Sequence, residues 1–189
     1  HTVVDTYGYK KLHKISLMEL SNDGQSTIGS KINIDCDCLG VSGGWTPAVH
    51  LFTQSGGKLK FRDEDEVFIP NIYPSKQISI GSCNGDFTLN EIIKNSSNSL
   101  KEFLEIENTE YENLNIINSI ETDKRNIWLL PSDKVIGKTK PFVDYQNDAT
   151  AKDIKLALRE GFRSIEHVKR YTTTGMGTDQ GKLGNMHAL

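Results

Sequence analysis

Catalysis, redox chemistry or metal binding each need particular side chains at workable spacing, and few stretches of this sequence offer them. Cys36-Asp37-Cys38 sets two thiols two residues apart, the spacing of a soft-metal pinch or a redox pair. No further ligand stands at zinc or iron–sulfur spacing. On a strand both thiols would share a face with Ile32 and Ile34, so they read as small buried core residues. The five histidines, His1, His13, His50, His167 and His187, are scattered, and none pairs with Cys, Ser or a carboxylate at a motif spacing. No Gly-x-Ser-x-Gly elbow, Walker loop or GxGxxG is present. The expectation is a chain with no catalytic acid, base or nucleophile of its own and no metal site.

Glycine-rich stretches carry more information. Ser42-Gly43-Gly44-Trp45-Thr46-Pro47 follows an apolar run and opens a short helix. A nucleotide-binding sheet passes its backbone beside a dinucleotide in this way, with a helix N-terminus beyond. An ordinary glycine turn has the same residues. Gly81-Ser82-Cys83-Asn84-Gly85-Asp86, also ahead of a helix, is a second such unit, and together the two favour the nucleotide reading. The third stretch is Tyr171-Thr-Thr-Thr-Gly-Met-Gly-Thr-Asp-Gln-Gly-Lys182, whose small hydroxyl and glycine residues let backbone approach a ligand or partner closely.

The elements that must position these stretches follow from periodicity. Thr2–Tyr7, Leu12–Leu20 and Lys31–Cys38 alternate as strands of an antiparallel meander, with Asn22-Asp23-Gly24 as a turn. Thr46 and Pro47 suit the N-cap and first position of a helix, Ala48–Gln54, closed by Gly56 and Gly57. Leu59–Phe61 and Val67–Ile69 flank an acidic turn, and Ile78–Ile80 reads as a short strand. Thr88 and Glu91 are spaced as a capping box for a helix with Leu89, Ile92 and Ile93 inward. Residues 105–126 are rich in Asn and Glu and read as a linker. Ile127–Leu130 reads as another strand, and Lys134–Lys140 as a basic loop. Then Thr150 with Asp153 opens a helix that Gly161 ends, and Ser164 caps a second helix with Ile165 and Val168 inward.

Composition sets the outer bounds. At 189 residues, 36% hydrophobic and 25% charged, the chain is long and apolar enough to fold. A net charge of −3 gives no support to a nucleic-acid partner. No run reaches the roughly 20 apolar residues of a membrane span, so no membrane is expected either. Three cysteines fit a reducing compartment without disulfides, hence a cytoplasmic location. The start at His1, without Met, and the stop at Leu189 read as an excerpt of a longer polypeptide.

Cys36–Phe61 and Phe142–Lys182 resemble the alpha subunit of heterotetrameric sarcosine oxidase. The resemblance implies an α+β fold: a remnant of an FAD/NAD(P)-binding Rossmann-like domain with antiparallel strands (1–104), a polar linker (105–126), and a strand plus a small all-helical module (127–189). It implies an oxidoreductase acting on CH–NH donors as part of a complex. Sarcosine becomes glycine, the one-carbon unit leaves as formaldehyde or methylene-tetrahydrofolate, and oxygen becomes hydrogen peroxide. NAD would belong to this subunit, FMN to the interface with the beta subunit, FAD to the beta subunit and tetrahydrofolate to a further C-terminal domain. Beta, gamma and delta subunits would be the partners. Gly43, Gly44, Trp45 and Pro47 match the SGGW-x-P signature. Gly81 matches the glycine ahead of a flavin-binding Asp, replaced here by Ser82 in a second unit that ends at Gly85.

The 142–182 module also resembles the iron–sulfur domain of bacterioferritin-associated ferredoxins, but it has no cysteine to hold a cluster. Cations at a helix end beside threonines and glycine N–H groups suit a phosphate or an anionic flavin. Lys169, Arg170, Tyr171, Thr172, Thr173, Thr174, Gln180 and Lys182 are therefore expected to face the beta subunit and shape the FMN site. The large subunit of a related amine-oxidising complex, such as N-methylglutamate dehydrogenase, and a non-enzymatic interaction module are the competing readings.

Overall fold

The computed structural model describes residues 1–74, 76–106, 126–132, 134, 136 and 138–189. Two compact units emerge: His1–Leu39 with Ile127–Leu189, and Gly40–Asn126. The N-terminal strands thus group with residues beyond the expected linker, and not with the rest of 1–104. Residues 107–125 of that linker lie outside the described residues.

The first unit opens with an antiparallel sheet, β1 (Thr2–Gly8), β2 (Leu12–Leu20) and β3 (Thr27–Asp35), in that spatial order. Alternation builds it: Ile15 and Leu17 stand opposite Ile34 and Ile32 on one face, and Ser16 stands opposite Asn33 and Asp5 on the other. Ser16 is fully buried and donates to Asn33 Oδ1 at 2.6 Å. Asp5 is held by the ammonium groups of Lys31 and Lys134. β3 starts and stops earlier than the expected Lys31–Cys38. Its ladder partner β2 begins at Leu12 and turns back to β1, so pairing runs out after Lys14 meets Asp35. Cys36 is then only half-buried and Cys38 exposed, which overturns the buried-core reading of the pair.

The rest of this unit is the module after residue 138. Its leading residues form a short antiparallel pair, β6 (Phe142–Asp144) and β7 (Ala149–Thr150), which precedes α3 (Ala151–Arg159), α4 (Ile165–Thr172) and α5 (Asn185–Ala188). Asp153 accepts from both the N–H (2.8 Å) and the hydroxyl (2.7 Å) of Thr150, which fixes the start of α3. Gly161, at φ +96°, ends it: its N–H reaches the Leu158 carbonyl, and that of Phe162 reaches Ala157. Ser164 occupies the N-cap of α4 but makes no side-chain cap. Val168, Ala157, Ala149 and Val143 form the buried centre, while Ile165, expected inward, is exposed. Ile127–Leu130 is not a strand, and Trp128 instead packs its ring against His187 at 5.6 Å.

In the second unit, α1 spans His50–Gln54, later than expected, with Val49 and not Thr46 at its N-cap. β4 (Lys58–Arg62) and β5 (Val67–Ile72) form the expected hairpin. Ile78–Ile80 has no strand partner and leads into a 3-10 turn, Gly81–Asn84. The Thr88–Glu91 capping box starts α2, Leu89–Leu104, yet none of its side chains is buried and Leu89 is 58% exposed. Phe52, Val67 and Ile69 are the buried apolar residues here.

Gly85 ties the 3-10 turn to the hairpin. Its carbonyl accepts from Arg62 Nη2 at 2.8 Å, and Arg62 also pairs with Asp65. A Cβ at Gly85 would lie 2.7 Å from Arg62 Nη2 and 2.9 Å from Ile69 Cγ2, at φ +86°. Gly85→Ala is therefore expected to cost about 2 kcal/mol. Gly161→Ala, where φ is positive but the space is open, should cost about 1 kcal/mol. Urea unfolding of the two variants checks the order.

Candidate functional site

The third glycine-rich stretch is positioned by one carboxylate. Asp144, only 5% exposed, ends β6. Its Oδ1 accepts the N–H groups of Gln146 (2.8 Å) and Asn147 (3.2 Å), which shapes the turn into β7. Its Oδ2 accepts the N–H of Gly175 at 2.7 Å, across 31 residues of sequence. Burial pushes the Asp144 carboxyl up, but these N–H donors, Gly175 foremost, outweigh burial and hold it below the usual carboxylate value. Asn147 adds a second tie by donating Nδ2 to the Thr173 carbonyl at 3.0 Å.

The threonines are largely occupied inside the module. Thr172 donates its hydroxyl to the Val168 carbonyl at 2.8 Å. With that proton committed, the 2.8 Å contact between the Thr172 and Thr174 hydroxyls is donated by Thr174. Both residues are buried, and Thr173, at φ +61°, caps α4. The glycines are likewise filled from within. A Cβ at Gly175 or Gly181 would fall 2.3 or 2.1 Å from Asn185 Oδ1, and one at Gly177 2.6 Å from Gln146 Oε1. Close backbone approach is present here, but the partners are Asn185 and the β6–β7 turn.

What remains outward is a short polar surface. Lys169 is half-buried, while Arg170 and Lys182 are exposed. Arg170 pairs with Glu166 one turn earlier at 2.9 Å. The half-exposed Tyr171 ring lies against Phe162, centroids 4.8 Å apart. Gln180 donates to the Gly177 carbonyl at 2.9 Å. A recess of about 280 Å³ opens beside this surface, lined by Asn147, Asp148, Ala149, Asp153, Leu156, Tyr171 and Thr172. Of the residues expected from sequence, Tyr171 and Thr172 reach it. Asn147, Asp148 and Asp153 went unnoticed as lining residues, because the spacing of Thr150 and Asp153 signals only a helix start. The Asp153 carboxyl is held low, chiefly by the Thr150 hydroxyl.

The two other glycine-rich stretches lie in the second unit. Gly43, Gly44 and Trp45 are exposed, Trp45 to 80%, and Pro47 is buried. Gly81 and Gly85 are buried on the 3-10 turn. The next residue, Asp86, is also buried: Oδ1 accepts from Asn95 at 2.8 Å, and Oδ2 has no protein donor. Among the described residues no group of three or more His, Cys, Asp or Glu is placed to hold a metal, and no helix is long and apolar enough to cross a membrane.

The sarcosine oxidase A3 domain family matches residues 138–189. The match coincides with the segment that Asp144 ties together. Similarity continues over the rest of the chain. The alpha subunit of sarcosine oxidase from Corynebacterium sp. (strain P-1) is 30% identical over 196 residues, covering 99% of this chain and 20% of the relative. That from Rhizobium meliloti (strain 1021) is 30% identical over 193 residues, covering 96% of this chain and 18% of the relative. That from Corynebacterium sp. (strain U-96) is 31% identical over 174 residues, covering 88% and 18%. The chain thus spans about a fifth of the length of these curated relatives. The crystal structure of L-proline dehydrogenase from P. horikoshii aligns with a TM-score of 0.49 at 19% identity, over 98% of this chain and 38% of that one.

The Asp144 carboxylate makes a pH-dependent contribution. With its folded value lowered, ionised Asp144 stabilises the domain at neutral pH. That stabilisation is lost as pH falls below about 4, through the unfolded and then the folded value. Asp144→Asn should be about 2 kcal/mol less stable at pH 7, and the gap from wild type should narrow on acidification toward about pH 3. Thermal unfolding of both proteins as a function of pH measures this.

Proposed function

We propose that this chain is a segment of the alpha subunit of a sarcosine-oxidase-like complex. Support comes from one observation above the others: similarity to sarcosine oxidase alpha subunits runs through 99% of the chain, across both compact units. The reaction of the complex is the oxidative demethylation of sarcosine to glycine. Formaldehyde or methylene-tetrahydrofolate, and hydrogen peroxide, are the other products. The chain supplies no catalytic residue, and its part is cofactor binding and subunit contact. The beta, gamma and delta subunits are its partners, and the cytoplasm is its location.

Within that reading the two units have separate tasks. The Gly43–Pro47 run and the Gly81–Gly85 turn contribute to NAD binding. Exposed Trp45 offers a face for a base, and Gly44, with open space around it, leaves room for backbone approach. The A3 surface faces the beta subunit beside FMN. Thr172, Thr174 and Gln180 hold its shape through their internal hydrogen bonds. Lys169, Arg170, Tyr171, Thr173 and Lys182 are left for contact. The Arg170–Glu166 pair is exposed at both ends. Such a pair contributes little by itself, so Arg170 can exchange partners for a phosphate or an anionic flavin at small cost. A flavin bound there supplies electron transfer, while the chain's own residues bind and orient it. FAD in the beta subunit and tetrahydrofolate in a further domain complete the cofactor set.

The test is the assembled complex carrying Arg170→Ala with Lys182→Ala. Losing charge-assisted contacts should weaken FMN retention about tenfold, measured by flavin content after dialysis. Unchanged flavin content and turnover would remove the A3 surface from the FMN site. Calorimetric titration with NAD, together with capture of the beta subunit, tests the division of tasks. Subunit capture without NAD binding favours an interaction module alone.

A further inference from the structure

The thiols of Cys36 and Cys38 are not where the alternation of the sequence put them. β3 ends at Asp35, and the Cys36 N–H donates to the His13 carbonyl of the neighbouring strand at 3.2 Å. Cys36 is half-buried, Cys38 is exposed, and both are free. The backbone bends at Asp37 between them. In a fully extended strand, residues two apart have Cα atoms about 6.6 Å apart. That is at the far edge of the roughly 4.4–6.8 Å that a disulfide spans. The two-residue spacing therefore lies within the reach of a disulfide. Cys83 is different: it is half-buried in the 3-10 turn, and its thiol donates to the Ile80 carbonyl at 2.9 Å.

We propose that Cys36 and Cys38 form a peroxide-oxidisable dithiol that closes reversibly to an intramolecular disulfide. The Cys38 thiolate, on the exposed side, attacks one oxygen of hydrogen peroxide. The O–O bond breaks, leaving Cys38 as a sulfenic acid, and the departing hydroxide takes up the thiol proton as water. Cys36 then attacks the Cys38 sulfur. The S–O bond breaks, and the released hydroxide leaves as a second water with the Cys36 proton. The two thiols lose two electrons in total, and one peroxide is reduced to two waters. The order follows exposure: the outer sulfur meets the oxidant and the half-buried one resolves it. A thiol reductant reverses the closure by exchange.

The experiment treats the full chain with a small excess of hydrogen peroxide, followed by intact mass and mapping of alkylated peptides. The expected product is lighter by about 2 Da, with free thiols falling from three to one. A linkage maps between positions 36 and 38, and dithiothreitol restores the starting mass. Cys83→Ser should close as readily as wild type, and Cys38→Ser should abolish the mass loss. Cys36→Ser should stop at a Cys38 sulfenic acid that dimedone traps. Both serine exchanges lie beyond the last strand residue, so loss of the sheet does not confound them. Three results would each overturn the proposal: Cys38 passing to sulfinic acid in wild type without the mass loss, Cys83 as the main oxidised residue, or disulfides only between two chains.

Discussion

The module after residue 138 depends on one buried carboxylate. Asp144 spends both oxygens on backbone N–H groups, two in its own turn and one on Gly175. A buried charge is costly unless it is fully hydrogen-bonded, and a loop without regular structure needs something to close on. Each requirement meets the other. The carboxylate gains donors that neutralise the cost of its burial, and the segment after α4 gains a fixed point. The Asn147 bond to the Thr173 carbonyl reinforces the same junction from the other side of the turn. α3 then packs on β7 of a hairpin whose far end is already secured, and α4 packs on α3, with Ala157 and Val168 buried on the two helices.

This accounts for how a glycine- and threonine-rich segment is held from within. Here the organising charge is negative, the donors are main-chain amides, and the hydroxyls of Thr172 and Thr174 extend the network inward. What faces outward includes two exposed cations, a tyrosine ring, Met176 and the rim of a polar recess.

The parts that were legible in the sequence are local. Alternation placed β1, β2 and the β4–β5 hairpin, and three-residue spacing placed the boxes at Thr88 and Thr150, because those signals depend only on near neighbours. Errors arose where a distant partner decided the outcome. Ile127–Leu130 has the apolar run of a buried strand, yet Trp128, Leu129 and Leu130 remain 44–49% exposed. The two thiols alternate correctly for a strand that their neighbour does not extend far enough to pair. Asp144 gave no signal at all, since an aspartate in a turn is commonplace and its second bond spans 31 residues. The polar surface was legible as composition, but which threonines face inward could be settled only by their hydroxyl partners.

The side chain of Asn185 occupies the volume that two missing side chains would have needed, at Gly175 and at Gly181. The three positions are therefore a single steric unit spread over eleven residues of chain. In evolutionary terms they cannot drift independently. A lineage that acquires a methyl group at either glycine must move or shorten the side chain at residue 185. Covariation among positions 175, 181 and 185 would be the inherited trace of that shared space.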